Sequence, residues 1–411
     1  MLLSAMLLVA ASTHAVASGN ADSLRIPAAA RDRGANHELA TAAQAGMSAT
    51  ALIRAEEAVY SEMQRGAFPG AALAVGRGNR VVLEQGLGRT GRGYDGQPVD
   101  PDRSVYDLAS LTKVVGTTTA VMLLVEDGLM RLDDRVSSYL PEWTGGDKDW
   151  VTIRHLLTHT SGLPAGMDLP SGITYEEGVR RAIRAPLQGR PGMRVEYSDV
   201  GFVVLFAAAE RAAGEPLYRL LDRRVFEPLR MRSTGFWFGE GCRRCAGTSR
   251  EHGDAFRGAV HDPISRRLGG VTGNAGLFST AHDLARFAAM MASGGTLDGV
   301  RVLRESTIRS FTQRQPGTGT RALGWDTPTR SGGASGSRVS DRSFGHTGYT
   351  GTSLWIDPER GTWVVLLTNR TYDTESNNRM QSLRREVHDR VSESADLGSP
   401  RPASGGYGGL E

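Results

Sequence analysis

The chain has 411 residues, 39% of them hydrophobic and 23% charged, the composition of an ordinary globular protein with length enough for two or three domains. Its 48 basic and 45 acidic residues nearly cancel to a formal +3 and form no Lys/Arg block, which excludes the electrostatic footprint of a nucleic-acid binder. No apolar run reaches transmembrane length, so no bilayer span is expected in the mature chain.

Leu2 to Ala10 are mostly apolar, and Ala15-Val16-Ala17 follows as a small-residue cleavage site. Residues 1–17 therefore read as a signal peptide, and the protein as exported to a periplasm or beyond. Residues 18–47 are polar and Ala-rich, a flexible arm, and the spacing from Ser48 to Arg65 predicts a helix. Ala71 to Gly76 and Val81 to Gly86 flank Arg77-Gly78-Asn79-Arg80, a hairpin signal. From Ser110 onward the period becomes helical: Leu111, Val114, Val115, Thr118, Val121, Met122 and Val125 recur at spacings of three and four, and Gly128 ends that run. Further helices are expected at Ile153 to His159, Val200 to Ala213, Leu217 to Phe226 and Ala281 to Ser293. Residues 331–343, rich in Ser, Gly and Arg, read as a flexible loop. A second hairpin joins Thr352 to Ile356 with Thr362 to Leu367 through Asp357-Pro358-Glu359-Arg360-Gly361. A helix around Asn377 to Ser392 then leads into a disordered tail, residues 394–411.

Hairpins at both ends with helices between them predict an α/β (α+β) fold: an antiparallel sheet built from both termini and flanked by helices, with a mostly helical lobe inserted. The sheet lobe takes residues 48–109 and 344–393, and the helical lobe 110–311, within one domain of 48–393.

Three short patterns carry chemistry. In Ser110-Leu111-Thr112-Lys113, a serine at a helix start meets backbone N–H groups and the positive end of the helix dipole, and an amine three residues on lies one turn away. A serine hydroxyl needs such an activating neighbour to act as a nucleophile. Tyr197-Ser198-Asp199 places a phenol just before a helix, where a nearby ammonium would make it a useful acid or base. His346-Thr347-Gly348 leads into Tyr349 on a late strand, where glycine allows a substrate to lie against the backbone. Each pattern alone is common; their order is what counts.

In that order the three resemble the motifs of the penicillin-recognising serine hydrolases, and within them the group of class C β-lactamases, D-amino-acid peptidases and lactamase-like esterases. Residues Thr152 to Pro164, containing His159-Thr160-Ser161-Gly162, are similar to a specific signature of that group, and Gly269 to Thr280 and Phe344 to Pro358 extend the likeness. The resemblance implies a β-lactamase/transpeptidase-like fold and an acyl-enzyme mechanism without a cofactor, acting on a small-molecule or peptide-like substrate. It implies acylation at Ser110, acid and base roles shared by Lys113 and Tyr197, and an oxyanion hole from the backbone N–H groups of Ser110 and Tyr349. His346, Gly348 and Asp199 would contact substrate. Two departures stand out. Asp199 lies where many relatives have asparagine, and a carboxylate cannot donate an amide hydrogen bond. His346 replaces a lysine, and a mostly neutral imidazole is poorly suited to a substrate carboxylate, which favours an esterase or D-peptidase over a β-lactamase.

Other chemistries fare worse. His155 and His159 stand four apart, but Leu156 sits where a zinc protease needs glutamate. His261-Asp262 and His282-Asp283 read as a loop and a helix start rather than as metal ligands. Cys242 and Cys245 are too few for a zinc site and carry no catalytic role; in an oxidising compartment they can close a short-loop disulfide.

Overall fold

The structure, a computed structural model, describes residues 42–92, 96–236, 238–239, 241–249, 256–329, 333–373 and 379–398. The expected signal peptide, the arm up to residue 41 and residues 399–411 lie outside them. Ten helices and ten strands are described. The helices are α1 (Ala49–Gln64), α2 (Thr119–Glu126), α3 (Ile153–Leu157), α4 (Tyr175–Arg184), α5 (Asp199–Ala213), α6 (Leu217–Leu221), α7 (Pro263–Arg267), α8 (Ala281–Ala292), α9 (Glu305–Thr312) and α10 (Met380–Gly398). The strands are β1 (Gly70–Arg77), β2 (Arg80–Gly88), β3 (Tyr106–Asp107), β4 (Gly235–Phe236), β5 (Leu277–Ser279), β6 (Thr296–Leu297), β7 (Val300–Arg301), β8 (Phe344–Thr347), β9 (Ser353–Asp357) and β10 (Thr362–Thr368).

Both expected hairpins form, and they join into one antiparallel sheet of order β2-β1-β10-β9-β8, with Leu73 opposite Leu366 and Val75 opposite Val364. The central strand β10 is buried at every position. Both of its faces are covered, which is why it reads as an unbroken apolar run rather than an alternation. Leu73, Val75, Val364 and Leu366 point to Leu52, Ala55 and Val59 of α1 and Leu383, Val387 and Val391 of α10. Ala72, Ala74, Val365 and Leu367 face the other way, into the core that contains Leu284, Ala285 and Ala288 of α8. Each fully buried Leu or Val stabilises the fold by about 1.5–3 kcal/mol.

The helical region lies between β3 and β8 in the chain, and the structure corrects its bounds. Helix α8, expected in the inserted lobe, packs on the sheet, because alanines on both partners allow close approach. The same region also contains the small sheet β3-β5-β4 and the hairpin β6-β7. Helices α4, α7 and α9 were not anticipated; they are short and mostly polar. Residues 109–126 are long and apolar enough to cross a membrane by composition, and 83% of that segment is buried inside the protein, as a core helix.

Two expectations of disorder need correction. Residues 394–398, assigned to the tail, are the last turns of α10. The described part of the expected flexible loop, 333–343, is pinned by carboxylates: Ser340 donates to Asp357 from N–H and hydroxyl at 2.8 and 2.6 Å, and Ser337 and Arg338 donate N–H groups to Asp389. Within the expected arm, residues 42–46 form a turn and Met47 is buried beneath α1 and α10.

Candidate active site

Ser110 is presented by a forced turn. At the end of β3 the buried carboxylate of Asp107 accepts the N–H of Ala109 at 2.8 Å and that of His261 at 2.7 Å. Ala109 is held at φ +47°, a left-handed conformation that costs a residue with a Cβ about 1–2 kcal/mol. Burial pushes the Asp107 carboxyl up to about 6 in spite of the two N–H donors. Ser110 then sits in a single 3-10 turn, 109–111, and Lys113–Thr118 form a π-type turn before α2 begins. The regular helix start expected at Ser110 is therefore replaced by a tight turn followed by a wide one, the latter a feature that recurs at functional sites.

This geometry brings the expected chemical groups together. The Lys113 ammonium donates to Ser110 Oγ at 3.0 Å and to the Asn274 carbonyl at 2.9 Å, and the Tyr197 hydroxyl donates to Ser110 Oγ at 2.9 Å. Lys113 is completely buried, and Asp199 Oδ1 lies 2.6 Å from its Nζ. Burial alone would lower the lysine pKa; the negative charge of Asp199, with Tyr197, outweighs it and holds Lys113 firmly as an ammonium. Asp199, expected among the substrate contacts, is thus turned to the buried cation as its counterion. An acceptor-only carboxylate at the first turn of α5 does what an asparagine there could not.

Tyr197 is fixed by a bracket. Ser198 caps α5 by accepting the Gly201 N–H at 2.8 Å, and its own N–H donates to His159 Nδ1 at 3.0 Å. The His159 ring lies 4.5 Å from the Tyr197 ring, and its carbonyl accepts the Glu196 N–H at 2.8 Å. His159 is buried and held at φ +57°. Burial, then Arg321 and Lys113, keep it neutral, well below the usual histidine range. The Arg321 guanidinium sits 5.3 Å from the Tyr197 ring. The sequence offers His159 only as half of a zinc pair with His155, and singles out neither Arg321 nor the Asn274 carbonyl. His159 lay inside the signature from Thr152 to Pro164 and Asn274 inside the stretch Gly269 to Thr280, whereas nothing in the sequence pointed to Arg321.

The strand after His346 closes the far wall. His346 donates from Nδ1 to the Thr347 carbonyl at 2.8 Å, and burial, then Arg321 and Lys113, push it down to about 3, a neutral imidazole. Its ring is 6.1 Å from that of Tyr197. Gly348 departs from expectation. A Cβ there would fall 2.0 Å from Thr352 Oγ1 and 2.5 Å from the Leu108 carbonyl, so the glycine makes room for the protein's own backbone, not for substrate. Thr350 and Thr352 complete the lacing, donating hydroxyls to the carbonyls of Asp107 at 2.7 Å and Leu108 at 3.0 Å. The turn carrying Tyr349 is thereby fastened to the residues just before Ser110. The half-exposed Tyr349 ring stacks on His261 at 5.7 Å beneath the guanidinium of Arg370.

The remaining candidates do structural work. His155 closes a capping box on α3 with Thr152, Asp262 caps α7, and His282 faces Glu84 at 3.0 Å. Cys242 and Cys245 form a disulfide beside Val105, at the entry to β3.

Comparison with known proteins bears on the family and the fold. The Beta-lactamase family model matches residues 55–389. A Salmonella agona protein provisionally named a D-alanyl-D-alanine carboxypeptidase is 30% identical over 377 residues, spanning 81% of this chain and 86% of that protein. Among solved structures, EstCE1, described as a hydrolase with promiscuous acyltransferase activity, superposes with TM-score 0.68 at 25% identity, covering 84% of this chain and 99% of its own. A penicillin-binding protein homologue from Caulobacter crescentus shares the fold at TM-score 0.69 and 21% identity, covering 84% and 97%.

Proposed function

The chain belongs to the β-lactamase family of serine hydrolases, and we propose that it cleaves ester and D-alanyl amide bonds through an acyl-enzyme on Ser110. The observation that carries this reading is the convergence of Lys113 Nζ at 3.0 Å and Tyr197 OH at 2.9 Å on Ser110 Oγ. An ammonium held charged by Asp199 has no lone pair with which to take a proton. The base is then Tyr197 in its phenolate form, stabilised by the Lys113 ammonium: it takes the serine proton as Oγ attacks the carbonyl carbon and becomes a phenol. The tetrahedral oxyanion is held by the N–H groups of Ser110 and Tyr349. Tyr197 returns the proton to the leaving alcohol or amine as the carbonyl re-forms, and water repeats the sequence on the acyl-serine.

The name of the Salmonella relative favours a D-alanyl peptide, and the promiscuous acyltransferase activity ascribed to EstCE1 favours a broader range of acyl groups. With His346 neutral and Lys113 paired to Asp199, Arg321, 5.3 Å from the Tyr197 ring, is a further cation at this wall and suits a substrate's terminal carboxylate. We further propose an exported protein, a reading supported by the leader-like residues 1–17 and by the Cys242–Cys245 disulfide.

A panel of nitrophenyl esters, D-alanyl-D-alanine peptides and a chromogenic cephalosporin, followed by intact-mass spectrometry, tests the reading. We expect turnover of the first two classes, with an acyl adduct that disappears in Ser110→Ala along with the activity. Unchanged turnover in that variant overturns the assignment. An adduct that forms but never hydrolyses makes the protein a binder rather than an enzyme.

A further inference from the structure

Arg384, on α10, is 8% exposed, and among the described residues no carboxylate pairs with it. Its Nη2 donates to two carbonyls, those of Gly348 and Thr352, both at 2.8 Å, and its Nε has no partner. A buried cation without a counterion is costly, and hydrogen bonds to neutral carbonyls repay that cost only in part. The two carbonyls are specific ones. The Gly348 oxygen and the Tyr349 N–H belong to the same peptide unit, and the Thr352 carbonyl accepts the Gly348 N–H at 2.8 Å. In a planar amide, a charged donor on the oxygen draws electron density from the nitrogen and strengthens the N–H as a donor.

We propose that Arg384 is a positioning residue that polarises and orients the Gly348–Tyr349 peptide, so that the Tyr349 N–H binds the oxyanion more strongly than an ordinary amide. The role rests on the acyl-enzyme reading above. When negative charge develops at the Tyr349 N–H, the guanidinium stands one peptide unit behind it, already in place and shielded from water. The stabilisation is absent from the ground state, where the carbonyl of the substrate carries little charge, so the effect falls on kcat rather than on KM.

The test uses the full chain, nitrophenyl butyrate as substrate and an alkyl trifluoromethyl ketone, whose hemiketal with Ser110 carries an oxyanion. Removing one donor from such a hole outright costs about 10²–10³-fold. Arg384→Gln, which weakens one donor, should therefore lower kcat by about 10–100-fold with KM moved less than threefold, and weaken ketone binding by the same factor. Arg384→Lys, which keeps the cation, should restore both to within about threefold of the parent. Thermal melts show whether each variant is folded. Ketone affinity and kcat in folded Arg384→Gln within twofold of the parent overturn the proposal. So does equal loss in both variants, which would mark a packing role; if the Gln variant does not fold, a tenfold loss in folded Arg384→Lys does the same. A parent enzyme that neither turns over the ester nor binds the ketone covalently sinks the acyl-enzyme reading instead, so the two failures are distinct.

Discussion

The Asp199 carboxylate lies 2.6 Å from the Nζ of Lys113, and its negative charge favours the ammonium form of the residue beside the nucleophile. Asp199→Asn removes the charge while keeping the shape. Burial then acts on Lys113 with less opposition, and its pKa falls toward the range of an ordinary pH profile. If Lys113 serves as a fixed cation, kcat/KM in Asp199→Asn should fall about 10–100-fold at neutral pH and gain a descending alkaline limb that the parent lacks. A rate that rises with pH in the variant would instead make the neutral amine the base. Superimposable profiles would remove Asp199 from the mechanism altogether.

The turn that presents Ser110 stores strain at Ala109, whose φ of +47° suits glycine better than any residue with a Cβ. Ala109→Gly should raise stability by up to about 1 kcal/mol, since relief of the left-handed penalty exceeds the extra chain entropy of glycine. The same change loosens the grip of Asp107 on the turn, and kcat should fall about tenfold. Thermal melts and steady-state kinetics on one preparation check both. Loss of more than about 1 kcal/mol would show that the turn is not strained.

Much of this arrangement was legible from local pattern. Ser110 and Lys113 stand three apart, and a wide turn in place of a regular helix still leaves them on one face. The two hairpins were marked by polar turns between apolar runs, and pairing β1 with β10 followed from burial of both. What stayed hidden depends on distance in space. Nothing near Asp199 in the chain shows that Lys113 is its partner, 86 positions away. Asn274, Arg321 and Arg384 act through a loop, a ring face and a helix that converge only on folding. The departure from asparagine at 199 was visible, but its meaning needed the lysine beside it.

Gly348 illustrates the same limit and yields its own prediction. The sequence suggested space for a substrate, whereas the missing Cβ is replaced by Thr352 Oγ1 and the Leu108 carbonyl. Gly348→Ala must therefore push the Tyr349 turn away from the nucleophile loop. We expect a loss of about 1–3 kcal/mol from overpacking and a fall in kcat of about 10²–10³-fold, as for removal of one oxyanion donor. A variant with kcat within threefold of the parent would show that the turn is free to shift without moving the amide.

Three buried histidines each contribute stability that is lost in acid. His346 and His388 are buried neutral, pushed down to about 3 and about 4, and His159 is lowered as well, in each case chiefly by burial. Their unfolded forms take up protons near pH 6.5 while the folded forms do not, so each contributes stability that is complete above about pH 6.5 and is lost as pH falls toward the folded value. Asp107, pushed up to about 6, opposes this between its ordinary value and 6, because there the folded state holds the extra proton. Glu56, Glu210, Asp222 and Asp283, likewise pushed up by burial, act in the same sense as Asp107, so the histidine contribution is read by difference; each histidine contributes a slope of up to about 1.4 kcal/mol per pH unit. His388 is the one to test, since it lies away from Ser110 and donates from Nδ1 to the Ala334 carbonyl at 2.7 Å, a bond that a glutamine amide can replace. Urea unfolding of His388→Gln at about pH 7 and about pH 4.5 should show a smaller drop than the parent, by about 2–3 kcal/mol. Equal drops in the two proteins would mean that His388 titrates in the folded state as it does in the open chain.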